Sequence, residues 1–330
     1  MSELVFEDVT VRFGSRRRGM VAVDHVDLTV PSGTVVGLVG ESGSGKSTLA
    51  RAAVGLTPRA GGRILLDGRP LAEATRALGR RPIQMVFQDP YSSLDPRMSV
   101  GDSIAEAIPR GLGGHAKRAE VTRLLELVDL AGDHAELYPS RLSGGQRQRV
   151  ALARALAARP DVVIADEITS ALDVSIQGTV LNLVRDLHRQ MRLSMLFISH
   201  NLAVVRYVSD VIAVMYLGQI VEYGPADDVL RDPQHPYTRE LLDAARRPGD
   251  MQIDAPDDTA TVIADAEPAD AHHPPSGCRF HPRCPIGPLV DADREACMTD
   301  PPSGNGHRHR AACHFATALE DAVVAQPERI

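Results

Sequence analysis

Apolar and polar side chains alternate along two stretches near the start of the chain, the pattern of β-strands with one buried face. The stretches cover residues 3–13 and 20–30, and each predicts a strand. Residues 63–70 predict a further strand pair, in which Asp67-Gly68 has the composition of a two-residue hairpin turn. Together these segments predict an antiparallel β-subdomain.

Short apolar runs without alternation predict strands of a second kind, buried on both faces as in a parallel sheet. These runs cover residues 35–39, 83–87, 162–165 and 195–198. A helix predicted over residues 174–190 connects the last two runs. Because parallel strands need such crossovers, the economical architecture is an α/β fold around a parallel sheet.

The apolar positions follow a helical period from about residue 99 to residue 158. Apolar side chains fall on one side of the segment 119–130, and the segment 145–158 continues as a helix that Pro160 ends. We interpret about residues 89–160 as a helical subdomain inserted into the α/β core.

The carboxyl-terminal third predicts a closing hairpin over residues 211–223, followed by helices near 225–231 and 236–246. The composition then shifts to Pro, Asp and Ala with little apolar periodicity, which is typical of a flexible linker. The predicted organisation is an α/β domain over residues 1–245, a linker over 246–276 and a small Cys-rich tail over 277–330.

Composition excludes several classes of protein. The net charge of −7 argues against a nucleic-acid partner, because a phosphate footprint needs a basic face. No apolar run reaches the length of about 18 residues that a membrane-spanning helix needs. The first residues show no basic region followed by an apolar core, so we expect no secretion signal.

Residues 40–47 read Gly-Glu-Ser-Gly-Ser-Gly-Lys-Ser and lie between a predicted strand and a predicted helix. That context is the one a phosphate-binding loop requires, since its backbone N–H groups form an anion-binding nest at a helix N-terminus. Lys46 is expected to reach the β- and γ-phosphates, and the Ser47 hydroxyl to ligate Mg²⁺. The loop predicts ATP binding.

Two further motifs support this prediction. Asp166 and Glu167 follow a buried strand, at the sheet edge where ligands bind in parallel α/β folds. There Asp166 can hold Mg²⁺, and Glu167 can polarise the water that attacks the γ-phosphate. A second glycine turn, residues 142–148, opens a helix and forms another phosphate cradle. Two copies arranged head to tail would complete each other's sites, which suits a two-fold dimer.

These motifs resemble those of the nucleotide-binding subunit of an ATP-binding-cassette (ABC) transporter, over roughly residues 3–245. The resemblance implies an ABC-type P-loop ATPase core with a parallel sheet, an antiparallel β-subdomain and an inserted helical subdomain. It implies a Walker A loop that comprises Gly40, Glu41, Ser42, Gly43, Ser44, Gly45, Lys46 and Ser47 with the adjoining Thr48. It also implies a signature over residues 142–146, whose nucleotide-binding residues are Ser143, Gly144, Gly145 and Gln146.

The same resemblance implies roles for isolated residues. Asp166 is the Walker B aspartate, Glu167 the catalytic base and Asp173 part of the D-loop, which spans residues 170–173. Gln88, the Q-loop residue, is expected to join Ser47 and Asp166 at Mg²⁺, and His200 to contact the γ-phosphate. Phe13 stands about where an aromatic side chain stacks on adenine, although it could equally be a packed strand residue. Ile168 stands where the family usually has Pro, which removes no chemical group.

The subfamily follows from residues 85–97, 215–222 and 235–238 and the Cys-rich end, which are similar to those of oligopeptide/dipeptide importers. The signature and residues 198–205 resemble the second of two paired ATPase subunits. This implies a sister ATPase in a heterodimer, two membrane permeases, an extracytoplasmic substrate-binding protein and a peripheral location at the cytoplasmic face of the cell membrane. Nickel or opine import, or a soluble cassette ATPase acting on the ribosome or DNA, are the alternatives.

All four cysteines, Cys278, Cys284, Cys297 and Cys313, lie in the tail. Without a secretion signal disulfides are disfavoured, so that a metal is the favoured interpretation. The spacing differs from the paired C-x-x-C knuckles of zinc ribbons. Four thiolates can hold a [4Fe–4S] cluster, and similar tails in peptide-importer ATPases are associated with one. Structural Zn²⁺, or metal-free thiols in a docking tail, are the alternatives.

Overall fold

The computed structural model describes residues 2–14, 19–89, 93–170, 172–245, 273–304 and 308–316. Two compact units make up the chain, Met1–Ile220 and Val221–Ile330. Among the described residues no helix combines the length and the apolar character needed to cross a bilayer. The predicted boundary at residue 245 stays a prediction, and residues 246–272 of the predicted linker lie outside the described residues.

Strands and helices alternate along most of the chain. The strands are β1 (Leu4–Phe13), β2 (Met20–Val30), β3 (Val35–Val39), β4 (Gly61–Leu66), β5 (Arg69–Pro70), β6 (Ile83–Val86), β7 (Val162–Asp166), β8 (Ser194–Ser199), β9 (Val211–Tyr216), β10 (Gln219–Pro225) and β11 (Arg310–Ala311). The helices are α1 (Lys46–Ala53), α2 (Leu71–Leu78), α3 (Val100–Ala107), α4 (Gly114–Leu127), α5 (Gly144–Ala157), α6 (Val174–Met191), α7 (Leu202–Val208), α8 (Ala226–Arg231), α9 (Pro236–Ala245) and α10 (Ala296–Thr299).

The antiparallel sheet of the first unit has the strand order β2-β1-β4-β5. Alternate residues of β1 face the core, so that Leu4 and Phe6 are buried, as the sequence pattern predicts. The β4–β5 hairpin turns at Asp67 and Gly68, both of which have positive φ angles, 51° and 73°. Positive φ at both central residues is the geometry that the Asp-Gly pair favours in a two-residue hairpin.

The parallel sheet of the first unit runs β6-β7-β8-β3-β9. Every residue of β3, β7 and β8 is buried, which explains why these strands read as apolar runs without alternation. The register pairs Val39 with Ser199, and Asp166 with Ile198. The carboxyl ends of these parallel strands therefore lie at one edge, which carries the residues that follow each strand.

Helices α3, α4 and α5 form the predicted helical subdomain. Their apolar side chains Ile104, Leu124, Leu125 and Leu152 are among the most deeply buried in the protein. The helix α3 begins at a Ser99 cap whose hydroxyl accepts a hydrogen bond from the Asp102 N–H at 3.1 Å. Apolar positions at a helical period predicted this region, in which α4 buries one side and α5 is buried along most of its length.

The sequence pattern did not predict α2 and α7. Helix α2 has apolar side chains at helical spacing, Leu71, Ala74 and Leu78, but it is only eight residues long and buries only Ala74 fully. Helix α7 is short and rich in β-branched residues, and it begins at an Asn201 cap that accepts from the Ala203 N–H at 2.9 Å. Both segments are shorter than the window of about 11–18 residues over which a helical period is identified, so the pattern did not stand out.

Candidate active site

The phosphate loop leaves β3 and enters α1 through Gly45. This residue has a φ of 106°, and a Cβ atom built on it would lie 2.3 Å from the Ala22 carbonyl oxygen. Both the conformation and the close approach of β2 therefore require glycine. Glycine at this position lets the first N–H groups of α1 open toward an anion.

Lys46 lies almost fully buried inside the loop that it follows. Its ammonium donates hydrogen bonds to the Gly40 and Glu41 carbonyl oxygens, both at 2.7 Å, and to Ser44 Oγ at 3.2 Å. Burial lowers the pKa of Lys46, while the nearby Glu167 carboxylate opposes this shift. The ammonium thus fills the space between the loop carbonyls, where it is ready to exchange these contacts for phosphate oxygens.

Ser47 and Asp166 come together from α1 and β7. Ser47 Oγ donates a hydrogen bond to Asp166 Oδ1 at 2.9 Å. Burial raises the pKa of Asp166, although the hydrogen bond from Ser47 lowers it. A hydroxyl beside a carboxylate supplies the hard oxygen ligands that Mg²⁺ takes, so these residues fit the predicted metal.

Glu167 is held on both sides by side chains from neighbouring strand ends. Gln88 Nε2 donates to Glu167 Oε2 at 2.8 Å, and His200 Nδ1 lies 3.4 Å from Glu167 Oε1. The backbone of Glu167 has a φ of 48°, and its N–H donates to the Ile198 carbonyl at 2.9 Å. Ile168, in the place of the usual Pro, is buried.

Ser170 is a contact that the sequence reading missed. Its hydroxyl donates to the Glu167 carbonyl at 2.9 Å and accepts from Gln88 Nε2 at 3.4 Å. The only signal for it was its place in the predicted D-loop. The structure therefore brings together three of the predicted residues, Gln88, Glu167 and His200, with this additional hydroxyl.

The signature turn has hydrogen bonds of its own. Ser143 Oγ accepts from the Gln146 N–H at 3.3 Å, and Gln146 Oε1 accepts from the Ser143 N–H at 2.9 Å. This reciprocal pair is a capping box at the start of α5. Gly145 is packed so closely that a Cβ atom there would lie 2.6 Å from Ile176 Cγ2. The turn is thereby fixed against α6.

Three further residues predicted for the nucleotide site are Asp173, Phe13 and Thr48. Asp173 occupies the N-cap of α6 without a side-chain cap hydrogen bond. Phe13 ends β1 with 44% of its surface exposed, which leaves its ring accessible for stacking. Thr48 lies in the first turn of α1. The roles of these residues stay predictions.

The four cysteines of the second unit are buried free thiols. Burial raises the pKa of Cys278 to about 11 and that of Cys284 to about 12, and the neighbouring Cys297 and Cys313 add to both shifts. The thiols are therefore close enough to influence one another. In the described part of the chain, however, no group of three or more His, Cys, Asp or Glu side chains is arranged to hold a metal ion.

A buried carboxylate joins three parts of the second unit. Glu222 on β10 accepts hydrogen bonds from the backbone N–H groups of Gln234 at 2.8 Å and His235 at 2.9 Å. His309 Nε2 lies 2.6 Å from Glu222 Oε1, beside the β10–β11 pairing of Glu222 with Ala311. The strand, the start of α9 and the cysteine-bearing segment thus meet at one side chain.

Comparison with known families finds two matches along the chain. Residues 23–170 match the family described as ABC transporter. Residues 221–287 match the family described as the oligopeptide/dipeptide transporter C-terminal region.

Full-length relatives support the same assignment. The chain is 44% identical over 302 residues to the Di/tripeptide transport ATP-binding protein DppF of Pseudomonas aeruginosa, covering 89% of this chain and 90% of the relative. It is 47% identical over 272 residues to a putative peptide import ATP-binding protein of Brucella abortus, covering 80% of this chain and 79% of the relative.

Solved structures support the fold. One is the dimeric post-hydrolysis ATP-binding cassette MJ0796 with ADP and Pi, at 26% identity and a TM-score of 0.59 over 68% of this chain and 98% of that one. Another is cbiO1 of Clostridium perfringens, part of the transporter complex cbiONQ, at 26% identity and a TM-score of 0.61 over 69% and 90% of the two chains. This chain belongs to the ABC transporter ATP-binding proteins, in their oligopeptide/dipeptide branch.

Proposed function

We propose that this chain is the ATP-hydrolysing subunit that energises peptide import by an ABC transporter. The observation that carries the proposal is the sheet edge where Ser47 meets Asp166 and where Glu167 lies between Gln88 and His200. Peptides are proposed as the cargo because the relatives are named as di/tripeptide or peptide import proteins.

Nucleotide binding follows from the phosphate loop. The N–H groups at the start of α1 would face the phosphates, and Lys46 would exchange its loop contacts for phosphate oxygens. Ser47 and Asp166 would hold Mg²⁺, and the Gln88 amide would offer a further oxygen. Bound Mg²⁺ neutralises charge on the β- and γ-phosphates.

Hydrolysis is assigned to Glu167. Its carboxylate would accept hydrogen bonding from the attacking water and orient it toward the γ-phosphate. Gln88 and His200, which already contact that carboxylate, would hold it in place. His200 side-chain exposure of 54% leaves the ring able to turn toward the phosphate. The positions of Gln88, Glu167 and His200 would then depend on whether the γ-phosphate is present.

A head-to-tail pair of cassettes would complete each nucleotide site. The proposal places Ser143 of one subunit over the nucleotide held by the other, with a sister ATPase as partner in a heterodimer. The pair would serve two membrane permeases and an extracytoplasmic substrate-binding protein, with this chain peripheral at the cytoplasmic face of the cell membrane. Dimeric cassettes among the similar solved structures support the pairing.

The tail is proposed to hold a [4Fe–4S] cluster, with Zn²⁺ as the alternative. Four buried thiols fit such a group chemically, because burial raises the pKa of each and a bound metal would stabilise the thiolates. The ligands would be Cys278, Cys284, Cys297 and Cys313. The cluster would stabilise the fold of the tail and would not transfer electrons, since ATP-driven transport needs no redox step.

The transport proposal is tested in cells that lack this chain. Uptake of labelled di- and tripeptides should fall and should return with the wild-type chain and with Glu126→Gln, an exposed carboxylate on α4. Glu167→Gln should restore no uptake, although the purified variant still binds ATP. Loss of nickel or opine uptake in place of peptide uptake would contradict the peptide assignment, and near-normal turnover by Glu167→Gln would contradict its role.

The tail proposal is tested by iron, acid-labile sulfide and zinc analysis of protein purified without oxygen. About four irons and four sulfides per chain, lost in Cys284→Ser, would support the cluster. Stoichiometric zinc would support the alternative. Absence of all three elements from intact protein would contradict both.

A further inference from the structure

The signature turn requires the Gln146 side-chain amide to be held in one of its two orientations. The Ser143 N–H donates to Gln146 Oε1 at 2.9 Å, so the amide must direct its oxygen at the cap. If the amide were reversed, its NH₂ group would face the Ser143 N–H, and two donors would meet. Within the cap only this one N–H distinguishes the two orientations, because the two ends of an amide have nearly the same shape.

His134 lies at the other end of that amide. Gln146 Nε2 is 3.4 Å from His134 Nε2, and an amide nitrogen is always a donor. The ring nitrogen must therefore accept, which requires His134 Nε2 to be without a proton. A neutral imidazole then carries its proton on Nδ1.

The surroundings of Nδ1 agree with this requirement. His134 Nδ1 lies 3.1 Å from the Ala131 carbonyl oxygen and 3.2 Å from Asp133 Oδ1, and both of these atoms are acceptors. Each donor in the chain of contacts thus faces an acceptor, from Nδ1–H through the amide to the Ser143 N–H. The opposite tautomer would break all three contacts of the ring, one at Nε2 and two at Nδ1.

The segment that carries His134 is itself fixed. The 3₁₀ helix Gly132–Glu136 has backbone hydrogen bonds from His134 N to Ala131 O and from Leu137 N to His134 O, both 3.1 Å. Leu137 also accepts from the Val100 N–H at 2.8 Å, which ties the segment to α3. The ring is therefore held by a support that does not involve the signature turn.

We propose that His134 is a positioning residue, which in its Nδ1–H tautomer orients the Gln146 amide and so holds Ser143 in place for the nucleotide. Ser143 itself is exposed, as a residue that faces a partner subunit must be. The effect on hydrolysis rests on the proposed function of the signature turn, whereas the orientation of the ring and the amide does not.

The geometry is tested by nitrogen NMR of the full-length chain, with ¹⁵N-labelled histidine at neutral pH. His134 should show a protonated Nδ1 and an unprotonated Nε2, assigned through the signals that disappear in His134→Gln. A protonated Nε2 with a bare Nδ1 would overturn the inference. This readout concerns the ring alone and holds whether or not the chain hydrolyses ATP.

The consequence is tested by kinetics. His134→Ala should lower kcat for ATP about fivefold to tenfold, the equivalent of one lost hydrogen bond, while ATP affinity of the phosphate loop is unchanged. His134→Gln should restore the rate, because its side-chain oxygen reaches the position of Nε2. His115→Ala, exposed on α4, is the matched control and should behave as the wild type.

Failure of the glutamine variant to restore the rate, or an unchanged rate in His134→Ala, would overturn the inference. Absence of hydrolysis in the wild-type chain assayed with its partners would instead contradict the proposed function. In that case the tautomer alone still decides whether His134 orients Gln146.

Discussion

Glu222→Gln is the substitution for which the structure predicts the clearest loss of stability. The wild-type carboxylate is 1% exposed and accepts from three donors: the N–H groups of Gln234 and His235, and the His309 imidazole. Glutamine has the same size and shape, so that no cavity forms. The substitution isolates the loss of one acceptor and of the charge.

The expected cost follows from the donors. Gln234 N and His309 Nε2 share Oε1, and His235 N contacts Oε2. Whichever oxygen becomes NH₂, at least one buried donor faces another donor, which costs about 1–3 kcal/mol. The remaining hydrogen bonds lose the strengthening that an ionised acceptor gives, about 1 kcal/mol. We expect the free energy of unfolding of this unit to fall by about 3 kcal/mol in all, within the range for breaking a buried charged pair.

Amide hydrogen exchange at Gln234 and His235 is the suitable assay, because the two units of the chain need not unfold together. A cost of about 3 kcal/mol corresponds to protection that falls by about a hundredfold. Asp228→Asn is the matched control. Its ion pair with Arg308 in the same unit, at 3.3 Å, involves an arginine side chain that is 67% exposed and should contribute less than about 1 kcal/mol. Equal protection in the two variants would refute the reasoning.

Three further predictions concern charge. Lys46→Ala should lose ATP binding in a direct titration, because Lys46 is the cation that the phosphate loop holds among its described residues. Tight ATP binding by this variant would contradict the role of Lys46. Burial lowers the pKa of His235 from 6.5 to about 4. Between these pH values the unfolded chain binds a proton that the native chain does not bind. Stability should therefore fall as pH falls from about 6.5 to 4, by roughly 3 kcal/mol, and urea midpoints should show a flatter profile in His235→Asn. The thiolate is the reactive form of cysteine, and burial raises the pKa of Cys284 to about 12. Metal-free native protein should therefore be alkylated slowly at neutral pH. Rapid alkylation would argue against the buried cluster of thiols.

The family and the fold class were predicted correctly from the sequence because their signals are local. A phosphate loop is made by consecutive residues, so the spacing of its glycines and of Lys46 determines the cradle wherever the strand and helix flank it. The Asp67-Gly68 turn and the capping box at Ser143 are short-range for the same reason. The ABC assignment that followed from these motifs is confirmed by the relatives.

Short helices and isolated contact residues could not be predicted from the sequence pattern. Helices α2 and α7 have eight and seven residues, too few for a helical period to stand out over the window of about 11–18 residues that identifies it. His134 gave no signal either, because a lone histidine in a loop has no characteristic neighbours in sequence. Its partner Gln146 lies 12 residues away, across a turn.

The sequence by itself determined which chemical groups the protein carries, in the order in which strands and helices present them. Only the tertiary structure decided which of them meet. Gln88 and Glu167 are 79 residues apart, and Glu222 and His309 are 87 apart. Their contacts depend on the strand order and register of the sheets, which place distant strand ends at one edge. No local preference encodes that arrangement, because it arises from burying the apolar faces of all the strands at once.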